Sequence, residues 1–153
     1  MKFIITFVIF SHVTIGFAMA GGAEIAAAAR TQIGLPYSWA GGSWAGKSRG
    51  VLSGAHTVGF DCSGLAQYAV YQGTHKKIAR VAGAQYADHQ CHHVPYAQHQ
   101  PGDLVFFNDG GSIHHVAVIS GHDRMVHAPH TGDHVREAAV YVKGRMDLVT
   151  RCW

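Results

Sequence analysis

Pro101-Gly102 divides this chain into two kinds of sequence, and that division constrains the fold more than any other feature. Before it, Ala23 to Ile33 is alanine-rich and helix-favouring, and Gly34 and Pro36 end the run. Cys62 to Gln72 places Leu65, Ala66, Ala69 and Val70 at helical spacing, with Gly73 as the stop, and Val81 to His89 predicts a third, shorter helix. After it, Asp103–Phe107, His115–Ile119, Arg124–Ala128 and Val135–Val142 are β-branched or aromatic runs separated by glycine-bearing turns. Met146–Arg151 is expected to add an edge strand. Helices first and an antiparallel sheet second predict an α+β domain, N-terminal helices packed on a C-terminal sheet of about five strands. Between helix and helix, the glycine- and serine-rich residues 41–59 read as a long irregular loop of functional character.

At 153 residues, 48% hydrophobic and 14% charged, the chain is a single globular domain. Its net charge of +3 is mild, and no Lys/Arg block exceeds Lys76-Lys77, which argues against nucleic acid as a partner. Met1-Lys2, the apolar Phe3–Phe17 stretch and Ala18-Met19-Ala20 describe a secretory signal peptide over residues 1–20, leaving 21–153 as the mature domain. A membrane anchor is the rival reading, but Ser11, His12 and Thr14 interrupt the stretch, so no stable membrane association is expected once it is cleaved. Retained, the segment could occupy a cleft as an inhibitor. Of three cysteines, Cys91 and Cys152 remain as an even pair if Cys62 is reactive, either bridged or free.

Gly59-Phe60-Asp61-Cys62-Ser63-Gly64-Leu65 carries the chemistry. Cys62 opens a helix, whose unpaired first N–H groups favour thiolate over thiol. The N–H of Cys62 or Ser63 could also hold a developing oxyanion. Asp61 reads equally as the helix N-cap or as a substrate contact. His115 begins an apolar strand and His127 ends the next, 12 residues on, so an antiparallel hairpin brings the two imidazoles together. One would then act as base and the other would orient it. On a regular strand only one of His114 and His115 faces the helix.

Asp61-Cys62-Ser63-Gly64, Pro101-Gly102-Asp103-Leu104-Val105-Phe106-Phe107, His115-Val116 and Val126-His127-Ala128-Pro129 together resemble the NlpC/P60 family, papain-like cysteine peptidases that cut peptidoglycan stem peptides. The likeness runs in matching order from about Ala23 to Val142. It implies a papain-like fold with Cys62 as nucleophile, His115 as base and His127 as the orienting residue. It also implies that the Tyr37 hydroxyl faces the site and that Arg80 lies at the cleft side. The chain departs from the pattern in Ala117, where the family often has glycine, and in a longer loop between Gly42 and Gly59. No wall-binding domain of the SH3-like or LysM type is expected beside the catalytic one.

Thirteen histidines raise the question of zinc. His89, Cys91, His92 and His93 form one cluster, and His127, His130 and His134 another, but neither has a familiar ligand spacing. The expectation is therefore solvated histidines, no metal and no cofactor. The functional expectation is a secreted, extracellular, monomeric thiol peptidase hydrolysing peptidoglycan stem peptides at the bond between D-Glu and the diamino acid, through a thioester. An amidase cutting before L-Ala, or a non-catalytic wall-fragment binding module, are the alternatives.

Overall fold

The computed structural model describes residues 21–153. The expected signal segment, and any inhibitory use of it, lies outside the described residues. In chain order the elements are helix α1 (Gly22–Arg30), strands β1 (Ser48–Arg49) and β2 (Val58–Gly59), and helices α2 (Cys62–Thr74) and α3 (Ala82–Tyr86). Strands β3 (His92–Pro95), β4 (Leu104–Asn108), β5 (Ile113–Gly121), β6 (Arg124–His127), β7 (Arg136–Ala139) and β8 (Leu148–Arg151) follow. Among these, no helix is long and apolar enough to cross a membrane.

The α+β architecture is as the sequence predicts, but the sheet has six strands in the order β3-β8-β4-β5-β6-β7. Met146–Arg151 does not supply an edge: β8 lies inside the sheet, covered by β3. The sequence conceals β3 because His92-His93-Val94-Pro95 is short and polar and ends in proline, with Val94 alone buried. Two fastenings hold β8 in place. Cys91 and Cys152, flanking the β3–β8 pair, are joined by a disulfide with their Cα atoms 4.2 Å apart. Arg151 donates from Nε and a terminal nitrogen to both oxygens of fully buried Asp103, at 2.8 and 2.7 Å. A buried carboxylate of this kind persists because it is paired and hydrogen-bonded.

Gly73 does not end α2. It lies inside the helix where α1 crosses, and a Cβ there would come within 2.5 Å of Ile25 Cγ1. The helix stops two residues later, at left-handed His75, whose N–H donates to Tyr71 O at 2.8 Å. α3 is shorter than Val81–His89, because Asp88 turns the chain by accepting from the N–H groups of Ala79 and Gln90.

Alternation along the central strands builds two apolar layers. Leu104, Phe106, Val116, Val118 and Val126 pack with Ile25, Leu65, Ala69 and Val70 of the helices. Val105, Phe107, Ala117, Ile119 and Met125 form the opposite layer with Val94 and Val149. Residues 41–59 are more ordered than an irregular loop. β1 and β2 pair as a short ribbon, and the fully buried Ser38 hydroxyl ties its base. Ser38 Oγ accepts from Gly50 N–H at 3.0 Å and donates to Thr57 O at 2.7 Å. Gly50 is required there, since a Cβ would lie 1.7 Å from Trp39 O.

Candidate active site

Asp61 has extended backbone, and its Oδ1 accepts from Gly64 N–H at 2.6 Å, so it caps α2 and fixes the position of Cys62. The same carboxylate receives Arg80 through both oxygens at 2.9 Å. Arg80 also donates to Ser63 Oγ at 2.9 Å and to Gly41 O at 3.0 Å. The chain carrying Arg80 is held by two buried glutamines. Gln67 Nε2 donates to Ile78 O, and Gln85 Nε2 donates to Ala79 O and Ser63 O. Neither glutamine stood out in the sequence, because each sits singly within a helix.

The Cys62 sulfur faces the backbone N–H groups of Val116 and Ser63. The expected lowering of its pKa does not occur. Burial, and then the negative charge of Asp61, push the thiol up to about 11, outweighing those N–H groups and Arg80. The site therefore holds a thiol rather than a thiolate at neutral pH.

His115 Nε2 and His127 Nδ1 are 2.9 Å apart, as the hairpin spacing predicts, and both rings are buried. Burial holds His115 down to about 3 and His127 to about 4, with the neighbouring Arg136 adding to the latter, so both are neutral. For His115 to accept a proton at Nδ1, its Nε2–H must donate to His127 Nδ1. His127 then carries its own proton on Nε2, a buried atom with no partner among the described residues. Among those residues no hydrogen bond joins Cys62 to His115, as is common for such pairs without a bound ligand.

Between β4 and β5 the register slips: Phe107 pairs with His115, but Asn108 pairs with Ile113. His114 is the inserted residue, and such a bulge re-aims side chains. His114 and His115 consequently both line one cleft of about 270 Å³, with His127, Pro129, His130, Arg136 and Tyr141. Strict alternation does not hold at this point. Val116 and Val118 turn to the helices, while His115 stands near Phe107, its ring centre 5.6 Å away.

A second hollow of about 350 Å³ lies between Ser53–Thr57 and Thr131–His134, floored by Pro36 and Tyr37. Tyr37 N–H donates to Asp133 O at 2.9 Å, and Tyr37 also bridges to Phe60, sewing the two sides together. Burial and the nearby charges of Cys62 and Asp61 push the Tyr37 hydroxyl up to about 12, which keeps it a neutral donor. The Cys62 charge would raise the Tyr141 hydroxyl in the same sense. Among the described residues, no three His, Cys, Asp or Glu side chains converge as metal ligands. His89 stays almost wholly exposed, and His93 bonds to Tyr86 O instead.

A cysteine at a helix start facing a histidine-bearing antiparallel sheet defines the papain-like α+β class. The chain belongs to the NlpC/P60 family, whose model matches residues 34–151. It is 45% identical over 121 residues to "Peptidoglycan endopeptidase RipA" of Mycolicibacterium smegmatis, covering 79% of this chain and 24% of that one. It is also 45% identical over 123 residues to "Peptidoglycan endopeptidase RipB" of Mycobacterium tuberculosis, covering 80% and 49%. The chain thus spans about a quarter to a half of these relatives' length. The solved structure of that peptidoglycan hydrolase RipB superposes with a TM-score of 0.75 at 43% identity, over 84% of this chain and 63% of that chain. RipD of Mycobacterium tuberculosis, described as a non-catalytic NlpC/p60 domain protein adapted to peptidoglycan binding, also gives 0.75, at 35% identity over 85% and 95%.

Proposed function

We propose that this protein is a secreted cysteine peptidase that hydrolyses peptidoglycan stem peptides between D-Glu and the diamino acid. The His115–His127 hydrogen bond on the strand whose Val116 N–H faces the Cys62 sulfur is the observation that carries this reading. Cys62 Sγ attacks the scissile carbonyl as its proton passes to His115 Nδ1, and His127 accepts from His115 Nε2–H and stabilises the imidazolium that forms. Backbone N–H groups at the start of α2 and the Tyr37 hydroxyl receive the oxyanion. His115 returns the proton to the leaving amine, a thioester remains, and water hydrolyses it through the same base. Asp61 and Ser63 frame the acyl side. Arg80, its terminal nitrogens spent on Asp61, Ser63 and Gly41, holds that frame rather than the substrate.

A binding-only role like that described for RipD is disfavoured by the presence of Cys62, His115 and His127 together. The Cys91–Cys152 disulfide supports residence in an oxidising compartment after removal of residues 1–20, where the domain acts as a monomer. Mass spectrometry of digested muropeptides tests the bond. Dipeptides left on the sugar support endopeptidase action, whereas bare glycan would assign the amidase. Turnover persisting in Cys62→Ala would refute the mechanism. N-terminal sequencing of the exported protein tests cleavage after Ala20.

A further inference from the structure

Trp39, Val51 and Leu52 are large apolar side chains left in water, exposed by 50%, 53% and 82%. They come from two stretches of chain that meet at one place. Val51 N–H donates to Trp39 O at 2.9 Å, and a Cβ on Gly54 would lie 2.6 Å from Trp39 N and Trp39 O. The short turn Leu52–Gly54 therefore rests on the Trp39 backbone. Single exposed hydrophobics are ordinary, but a set gathered on one rim marks a surface that meets something. Backbone strain falls on the same spot. Ala40 and Leu52 are left-handed, at φ 58° and 50°, a conformation that side-chain-bearing residues adopt at a cost. Glycine would hold the Leu52 backbone without strain, and the leucine side chain buries almost nothing, so folding does not account for it.

The rim continues the Tyr37 hollow: Ser53 and Thr57 line that hollow, and Tyr37 lies two residues before Trp39. The imidazole that protonates a leaving amine lies on the leaving group's side of the nucleophile. The acyl side of the substrate then takes the Tyr37 hollow, and on that side the bond named above leaves a dipeptide joined to the sugar. Two extended residues span about 7 Å, so the sugar follows at the edge of the hollow. Charge disfavours a free amino end there. Between Glu24 and Asp88 the only acid is Asp61, whose two oxygens are taken by Arg80. Asp133, which also lines the hollow, is held by Arg136. An ammonium would find no free carboxylate, whereas an amino end acylated by the sugar's side chain carries no charge. The C–H faces of a sugar ring pack on an indole and on aliphatic side chains, while its hydroxyls stay in water.

Resting on the hydrolase reading above, we propose that Trp39, Val51 and Leu52 form a docking rim for the sugar that carries the stem peptide. Two ligands are titrated into the Cys62→Ala protein, so that binding is read without turnover. One is the stem tripeptide with its amino end acetylated, and the other is the same tripeptide on its disaccharide, each made with lysine and with diaminopimelate. Within either pair the sugar-borne ligand binds at least about ten-fold tighter. Trp39→Ala and Leu52→Gly each collapse most of that ratio, and Leu52→Gly does so with undiminished thermal stability. Equal binding of the two ligands, or a ratio unchanged in both variants, overturns the rim. A merely structural Trp39 would weaken both ligands alike and keep the ratio, which also overturns it. Sedimentation showing a dimer that Leu52→Gly dissolves would give the surface to a second copy of the chain instead. Hydrolysis by the unmodified protein is scored separately. A sugar preference in binding with neither ligand cleaved would retain the rim and reject the hydrolase.

Discussion

Cys62 is opposed by its own surroundings, because the carboxylate that caps its helix also disfavours its thiolate. With the thiol near 11, alkylation by iodoacetamide is expected to accelerate steadily from neutral to alkaline pH. Asp61→Asn removes a charge that raises the thiol and frees Arg80 while keeping a good helix cap, so the alkylation profile shifts to lower pH. An unshifted profile in that variant would show that burial alone sets the thiol. The histidine pair has a different signature. His115 and His127 titrate near 3 and 4 in the folded protein, against an ordinary 6.5, so below pH 6.5 the unfolded chain takes up protons that the native state refuses. Their contribution to stability is fully present above pH 6.5 and is lost as pH falls toward 4. Thermal unfolding should show this decline, and His127→Asn should flatten part of it.

At the scale of elements, the helices and the four hydrophobic strands were legible because each has a clear period; Cys62 and His127 stood out at element ends, and the hairpin spacing placed His115 against His127. β3 was not, since its place depends on pairing with β8 and on a disulfide rather than on its own residues. Nor could the His114 bulge be seen, because a one-residue register slip leaves no mark in composition. Ser38 was hidden as one serine among many, although its hydroxyl gathers Gly50, Gly54 and Thr57. Replacing Cys91 and Cys152 by serine should cost about 2–4 kcal/mol in denaturant unfolding, with loss of protection from hydrogen exchange concentrated in β3. Ser38→Ala leaves buried backbone groups unpaired and should cost about 1–3 kcal/mol. Faster proteolysis within residues 41–59 is the companion measurement, and unchanged cleavage there would mean that the ribbon holds without Ser38.

Taken whole, the described molecule carries two hollows of different character, one lined by Tyr37 and one by histidines and Arg136. It is closed by a contact between residues far apart in the chain. Gly21 and Gly22, at the start of α1, lie so close to Trp153 that a Cβ on either would come within 2.6 Å of its side chain. Trp153→Ala should therefore loosen α1 and lower stability by about 2 kcal/mol or more in urea unfolding. The same contact sets an order of events. As the chain emerges during synthesis, the packing surface of α1 is completed only when the much later Trp153 follows it. The domain closes only once Trp153 can meet α1, so the elements made before it wait partly open until then.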